Sequence, residues 1–202
     1  MKNALVILAS GKGERFGQKI PKQFYKKDGK AIINIFLSNL ETKLFKLIII
    51  SIDKKYINII KDSPNYINNK ERYIFSKPGK TRQESSFNAL KIIDKYNIKN
   101  VLIHDSARPF CSNNLIKKIL KKLVNNNNCI PYIKYSDRHI NSSNKKDNKV
   151  LNIQTPQGFN YKLILKAHNK YKNYIFADDA SLIQKMDQNL ILVKGEKTNI
   201  KL

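Results

Sequence analysis

The chain has 202 residues, a mass of 23.4 kDa and a formal charge of +24, a length that suits one domain burying roughly 70% of its unfolded surface. Its two cysteines, Cys111 and Cys129, make neither a disulfide framework nor a four-ligand zinc site and suit a reducing compartment. No apolar run approaches the ~18 residues of a membrane span, and the counts of 34 Lys, 29 Ile and 25 Asn against 5 Arg and 8 Ala match drift toward A/T-rich codons.

The lysines are scattered from Lys2 to Lys201 without a dedicated tail. Anionic small substrates are therefore the expected partners, rather than nucleic acid or a membrane. Residues 4–9 form an apolar run from the outset. It is too short, and followed by the wrong residues, for a signal peptide. A cytoplasmic protein is expected.

That run reads as a buried strand, and 31–41 reads as a helix. A second strand lies at 47–52, followed by a helical stretch at 55–61. A short strand at 72–76 leads through Pro78-Gly79 into a helix over 82–95. Val101, Leu102 and Ile103 make a strand ending at His104-Asp105. Over 112–124, Leu115, Ile116, Ile119, Leu120, Leu123 and Val124 form one stripe opposite Lys117, Lys118, Lys121 and Lys122, the pattern of an amphipathic helix.

A strand is expected at 129–135, and the nearly all-polar 136–149 reads as an exposed arm between sheet-like flanks. Helices at 160–172 and 179–187 and a strand at 190–194 complete the chain. Strands alternating with helices predict an α/β domain with a mainly parallel sheet. Ligands of such sheets sit outside the carboxyl ends of the strands.

Chemistry-bearing residues follow those ends. After the first strand, Ser10, Gly11 and Gly13 can turn several backbone N–H groups onto an anion. The spacing is neither a Walker A loop nor the dinucleotide fingerprint. Arg15 and Lys22 place two cations beside it, as a triphosphate requires. Asp105, at the carboxyl end of its strand, can hold Mg²⁺ on phosphates or cap the next turn. Of Asp178 and Asp179, one can cap the following helix and leave the other for a metal. Gly79 to Ser86, with Arg82 and the Ser85 hydroxyl, can cradle a base and ribose or simply start a helix. His104, His139 and His168 lack metal-ligand spacing, and His104 reads as a structural histidine.

Together LASGKGERFG with PKQF, PGKTRQESS, HDSARP, TPQGF, ADDAS and Asn199-Ile200-Lys201 resemble one family, the 2-C-methyl-D-erythritol 4-phosphate cytidylyltransferases of non-mevalonate isoprenoid synthesis. The segments come in the family's order over almost the whole chain. The resemblance implies a Rossmann-like three-layer nucleotidyltransferase fold with a protruding β-arm. It also implies cytidylyl transfer from CTP to 2-C-methyl-D-erythritol 4-phosphate, releasing pyrophosphate. The acceptor phosphate is the nucleophile, so no protein nucleophile is needed.

By the same resemblance, Ser10, Gly11 and Gly13 wrap the triphosphate while Arg15 and Lys22 neutralise its charge. Gly79, Lys80, Arg82 and Ser85 serve the nucleoside, Asp105 and Asp178 the Mg²⁺, and Lys201 the acceptor. Thr155 and Asp137 join the substrate contacts. The arm, at 134–156 within a single 1–202 domain, is expected to make a homodimer and reach the partner's site.

The chain departs from the family in three places. Asp147 stands where an arginine usually binds the acceptor phosphate, with Lys145, Lys146 and Lys149 nearby. Asp137-Arg138 replaces an Asp-Thr pair. The chain ends at Leu202, where members continue. A sister enzyme acting on another polyol phosphate, such as ribitol 5-phosphate, is the nearest alternative. A non-catalytic basic protein that binds nucleic acid is an alternative of a different class.

Overall fold

Three adjacent strands, each with an uninterrupted apolar run, form the heart of the sheet. They are β1 (Asn3–Leu8), β4 (Leu47–Ser51) and β6 (Asn100–Asp105). Strands buried on both faces read as continuous apolar runs because helices cover each side. The computed structural model describes residues 2–11, 20–124, 127–134 and 151–202.

Between β1 and β4 lie the two-residue strands β2 (Lys26–Lys27) and β3 (Lys30–Ala31), then helix α1 (Ile32–Asn39). After β4 come α2 (Ile57–Lys61), α3 (Pro64–Asn68) and β5 (Tyr73–Ser76). Helix α4 (Arg82–Ile93) precedes β6, and α5 (Asn113–Lys122) follows it. The remainder comprises β7 (Asn128–Lys134), β8 (Leu151–Ile153), β9 (Gln157–Asn160), α6 (Tyr161–Lys170), α7 (Asp179–Lys185) and β10 (Leu190–Lys194).

The sheet order is β10-β7-β9-β6-β1-β4-β5, with β8 beside β7. Strands β5, β4, β1 and β6 run parallel, as do β7 and β10. Strand β9 runs antiparallel to both β6 and β7. Alternate residues of β1 enter two cores. Leu5 and Ile7 pack with Ile33, Phe36, Leu115 and Ile119 on one face. Ala4 and Val6 pack with Leu90, Ile93, Ile164 and Ile183 on the other. The result is a three-layer α/β fold.

The stretch read as a helix at 55–61 divides into a 3₁₀ turn, Lys54–Tyr56, and α2. Strand β9 falls in a segment from which the apolar pattern predicts no strand. Its one glycine, Gly158, lies where an added Cβ would stand 2.6 Å from Ile119 Cγ2. A bare backbone here lets α5 pack close. The base of the expected arm is an antiparallel ladder of β7 with β8, pairing Tyr132 with Ile153 and Lys134 with Leu151. The rest of the arm lies outside the described residues. Among the described residues, no helix is long and apolar enough to cross a membrane.

Candidate active site

The carboxyl ends of β1, β4, β5 and β6 open on one edge of the sheet. Because β9 is antiparallel, its N-terminal end, with Thr155, meets that same edge. Gln23 braces the turn that leaves β1. Its buried amide donates to the carbonyl oxygens of Ala9 and Gly11, both at 2.9 Å. Lys22, at the start of the neighbouring 3₁₀ turn, donates from Nζ to the main-chain oxygen of Leu202. Arg15, Gly13 and Asp137 lie outside the described residues.

Ser85 is fully buried. Its Oγ donates to Thr81 O (2.9 Å), accepts from Gly79 N (3.0 Å), and lies 3.0 Å from Ser10 Oγ. A hydroxyl has one hydrogen and two lone pairs. With its hydrogen on Thr81, Ser85 must accept from Ser10, and all three positions are filled. The side chain read as a ligand contact thus shapes the loop and ties it to the turn after β1.

Thr81 caps α4 by accepting from Glu84 N, while Glu84 Oε2 accepts from Lys80 N at 2.7 Å. This is a variant of the capping box, which satisfies N–H groups that a helix start leaves without partners. Gly79 is required here, since a Cβ would fall 2.4 Å from Glu84 Cβ.

Two cations converge on Asp105. Arg82 Nε donates to its Oδ1 at 3.2 Å, and Lys201 Nζ to its Oδ2 at 2.7 Å. Burial raises the Asp105 pKa, but Arg82 and Lys201 outweigh it and hold the carboxyl at about 2. Burial disfavours the Arg82 charge, yet Asp179 and Asp105 keep its pKa above the ordinary arginine value.

Asp105 N donates to Thr155 Oγ1 at 3.0 Å, and that hydroxyl lies 3.1 Å from His104 Nδ1. His104 Nε2 lies 3.1 Å from Arg108 O. One tautomer satisfies all three contacts, with Thr155 donating to Nδ1 and Nε2–H donating to Arg108 O. Burial drives the His104 pKa down to about 4, so the ring is neutral. Thr155, read as a substrate contact, is itself buried and supports the Asp105 main chain.

The segment bearing Lys201 is fastened by groups that the motifs left without roles. Arg108 Nη1 donates to Asn199 O at 2.7 Å, and Gln154 Nε2 donates to Glu196 O at 2.8 Å. Asn199, fully buried, donates to Thr155 O at 2.9 Å. Leu202 N donates to Ala107 O at 2.9 Å.

The Asp178-Asp179 pair divides its work. Asp178, read as a metal ligand, caps α7: its Oδ1 accepts from Ser181 N (3.0 Å) and Ser181 Oγ (2.6 Å), and its Oδ2 from Gln157 (2.7 Å). Asp179 is buried against Arg82 at 2.6 Å and His168 at 2.9 Å. Among the described residues, no three His, Cys, Asp or Glu side chains gather as a metal site. Asp105 nevertheless suits a cation shared with phosphates, since among the described residues its Oδ1 accepts from Arg82 and its Oδ2 from Lys201, and an ionised carboxylate has about four acceptor sites. Both cysteines are buried, and burial raises both thiol pKa values, that of Cys129 to about 12.

A family model for 2-C-methyl-D-erythritol 4-phosphate cytidylyltransferase matches residues 3–202. The chain belongs to this cytidylyltransferase family. It is 36% identical to a bifunctional enzyme IspD/IspF of Pelagibacter ubique, aligning over 100% of the chain and 54% of that protein. It is 33% identical to the 2-C-methyl-D-erythritol 4-phosphate cytidylyltransferase of Thermosipho africanus, over 98% of the chain and 91% of that protein. The crystal structure of 4-diphosphocytidyl-2C-methyl-D-erythritol synthase from Anaerococcus prevotii superposes with a TM-score of 0.82 at 30% identity, covering 99% of this chain and 89% of that one. The cytidylyltransferase fold therefore extends over all the described elements.

Proposed function

We propose that this enzyme transfers a cytidylyl group from CTP to 2-C-methyl-D-erythritol 4-phosphate, giving 4-diphosphocytidyl-2-C-methyl-D-erythritol and pyrophosphate. The observation that carries the reading is the convergence of Arg82 and Lys201 on Asp105, beside the Ser10–Gly11 turn, in a chain of this family. A phosphate oxygen of the acceptor forms the new bond to the α-phosphorus. The bond from that phosphorus to the β-phosphate bridging oxygen breaks, and pyrophosphate leaves with the electron pair.

The chain's part is positioning and charge neutralisation. The turn at Ser10, Gly11 and Gly13 takes the triphosphate, and the Gly79–Ser85 loop takes the cytosine through its main chain. Lys22 and Arg15 offset charge on the α-phosphate and the leaving pyrophosphate. Lys201 directs the acceptor phosphate. Asp105, together with Asp178, would hold the Mg²⁺ that accompanies the triphosphate, and that ion would supply neutralisation of phosphate charge. The arm, whose base is the β7–β8 ladder, forms a homodimer contact, and the enzyme works in the cytoplasm. The family match disfavours a ribitol 5-phosphate acceptor and a purely nucleic-acid-binding role.

Oxygen-18 placed in the acceptor phosphate tests the reaction. Mass spectrometry should find the label in the diphosphate of the cytidylyl product and none in the released pyrophosphate. Label in pyrophosphate would contradict attack by the acceptor phosphate.

A further inference from the structure

The charged groups around Asp105 continue inward past the nucleotide loop. Arg82 at the start of α4 donates from Nε to Asp105 on β6 and from Nη1 to Asp179 Oδ2 on α7, at 3.2 and 2.6 Å. The other oxygen of Asp179 lies 2.9 Å from His168 Nε2 on α6. Asp179 and His168 are each 1% exposed. A carboxylate only accepts, so His168 Nε2 carries the hydrogen and donates it. The imidazole lies parallel to the Phe87 ring of α4, with centroids 5.8 Å apart and an interplanar angle of 1°.

We infer that His168 is a positioning residue that acts through Asp179 to set the guanidinium plane of Arg82 at the nucleotide site. The inference rests on the function proposed above. Arginine's fork is rigid, so two fixed acceptors define its plane. Arg82 Nη2 is buried with no partner among the described residues. Among the described residues, the two carboxylates therefore set the fork. Asp105 is held by β6 and by Lys201, whereas Asp179 sits in the first turn of a short helix, its carboxylate bonded to Arg82 and His168. His168 fixes the oxygen that does not face Arg82, and the stacking on Phe87 holds the ring. Removing the donor leaves a buried carboxylate oxygen unpaired. Asp179 can then relieve that only by turning, which takes the Arg82 contact with it.

None of this was visible in the motifs, because His168 and Asp179 meet through the packing of α6 on α7. His168→Phe keeps a ring beside Phe87 and deletes the donor, while His168→Gln restores an N–H where Nε2 stands. Steady-state kinetics and ¹⁵N spectra of the arginine Nε–H groups should be recorded for both variants.

His168→Phe is expected to raise KM for CTP about tenfold and leave KM for the acceptor nearly unchanged. It should also broaden or shift the Arg82 Nε–H resonance. His168→Gln should recover most of both effects, and His168→Phe should add nothing in an Arg82→Ala background. An unchanged Arg82 resonance, an unchanged KM for CTP in an active enzyme, or an equal effect without Arg82 would overturn the inference. A protein whose Arg82 resonance responds as expected but which forms no pyrophosphate would overturn the proposed function alone.

Discussion

Asp105 carries a consequence that can be worked from the structure. Its side chain is only 12% exposed and contacts two cations. They hold its pKa at about 2, against an ordinary aspartate value of 3.8. A depressed carboxylate pKa stabilises the folded state above the unfolded pKa, and that stability is lost as pH falls through the folded value. The difference corresponds to about 2 kcal/mol at neutral pH. Asp105→Asn retains the shape and removes the charge, so it should cost about 2 kcal/mol at pH 7. Urea unfolding followed by circular dichroism at pH 7, 5 and 3.5 measures this. The gap between wild type and variant should be the same at pH 7 and 5, and narrow below pH 4. Equal stabilities at pH 7, or a gap that persists undiminished at pH 3.5, would refute the ion-pair reasoning.

Lys22→Ala should lower kcat by about 10²–10³, the loss typical of one preorganised charge, with thermal unfolding unchanged; near-normal turnover removes Lys22 from the chemistry. Gly79→Ala places a methyl 2.4 Å from Glu84 Cβ and 2.8 Å from its main-chain carbon. A calorimetric scan should show about 1–3 kcal/mol of destabilisation, and a wild-type melting curve would contradict the turn geometry. Cys111 and Cys129 should resist a thiol reagent in the native enzyme at pH 8 and react on unfolding, because burial keeps both protonated. Rapid native labelling would show that the thiols are open to solvent.

The central strands and α5 were legible because burial imposes period. Residues Leu47 to Ile50 are uninterrupted aliphatics, and the stripe Leu115, Ile116 and Ile119 is buried as its spacing requires. Strand β9 was hidden because Gln157, Gly158 and Asn160 leave Phe159 as its one apolar residue, and the bare backbone of Gly158 serves the packing of α5 rather than an apolar pattern. Helix α3 was also missed, although Ser63 before Pro64 is a start signal and its hydroxyl accepts from Tyr66 N.

At the site, the positions after β1 and β6 were readable because loops at strand ends carry chemistry. The division of labour within the aspartate pair was not. Either carboxylate can cap a helix, and only the tertiary placement of Arg82 and His168 assigns Asp179 to the ion network. Gln23, Arg108 and Gln154 escaped for the same reason. Each acts by bonding to main chain distant in sequence.

Pyrophosphate release from CTP and Mg²⁺ with 2-C-methyl-D-erythritol 4-phosphate, run beside ribitol 5-phosphate, tests the assigned reaction most directly. Release with the methylerythritol phosphate alone is the expected result, and it would show that lysines near Asp147 serve where an arginine is usual. Release with ribitol 5-phosphate alone, or silence with both acceptors in a protein that still binds CTP, would contradict the acceptor assignment.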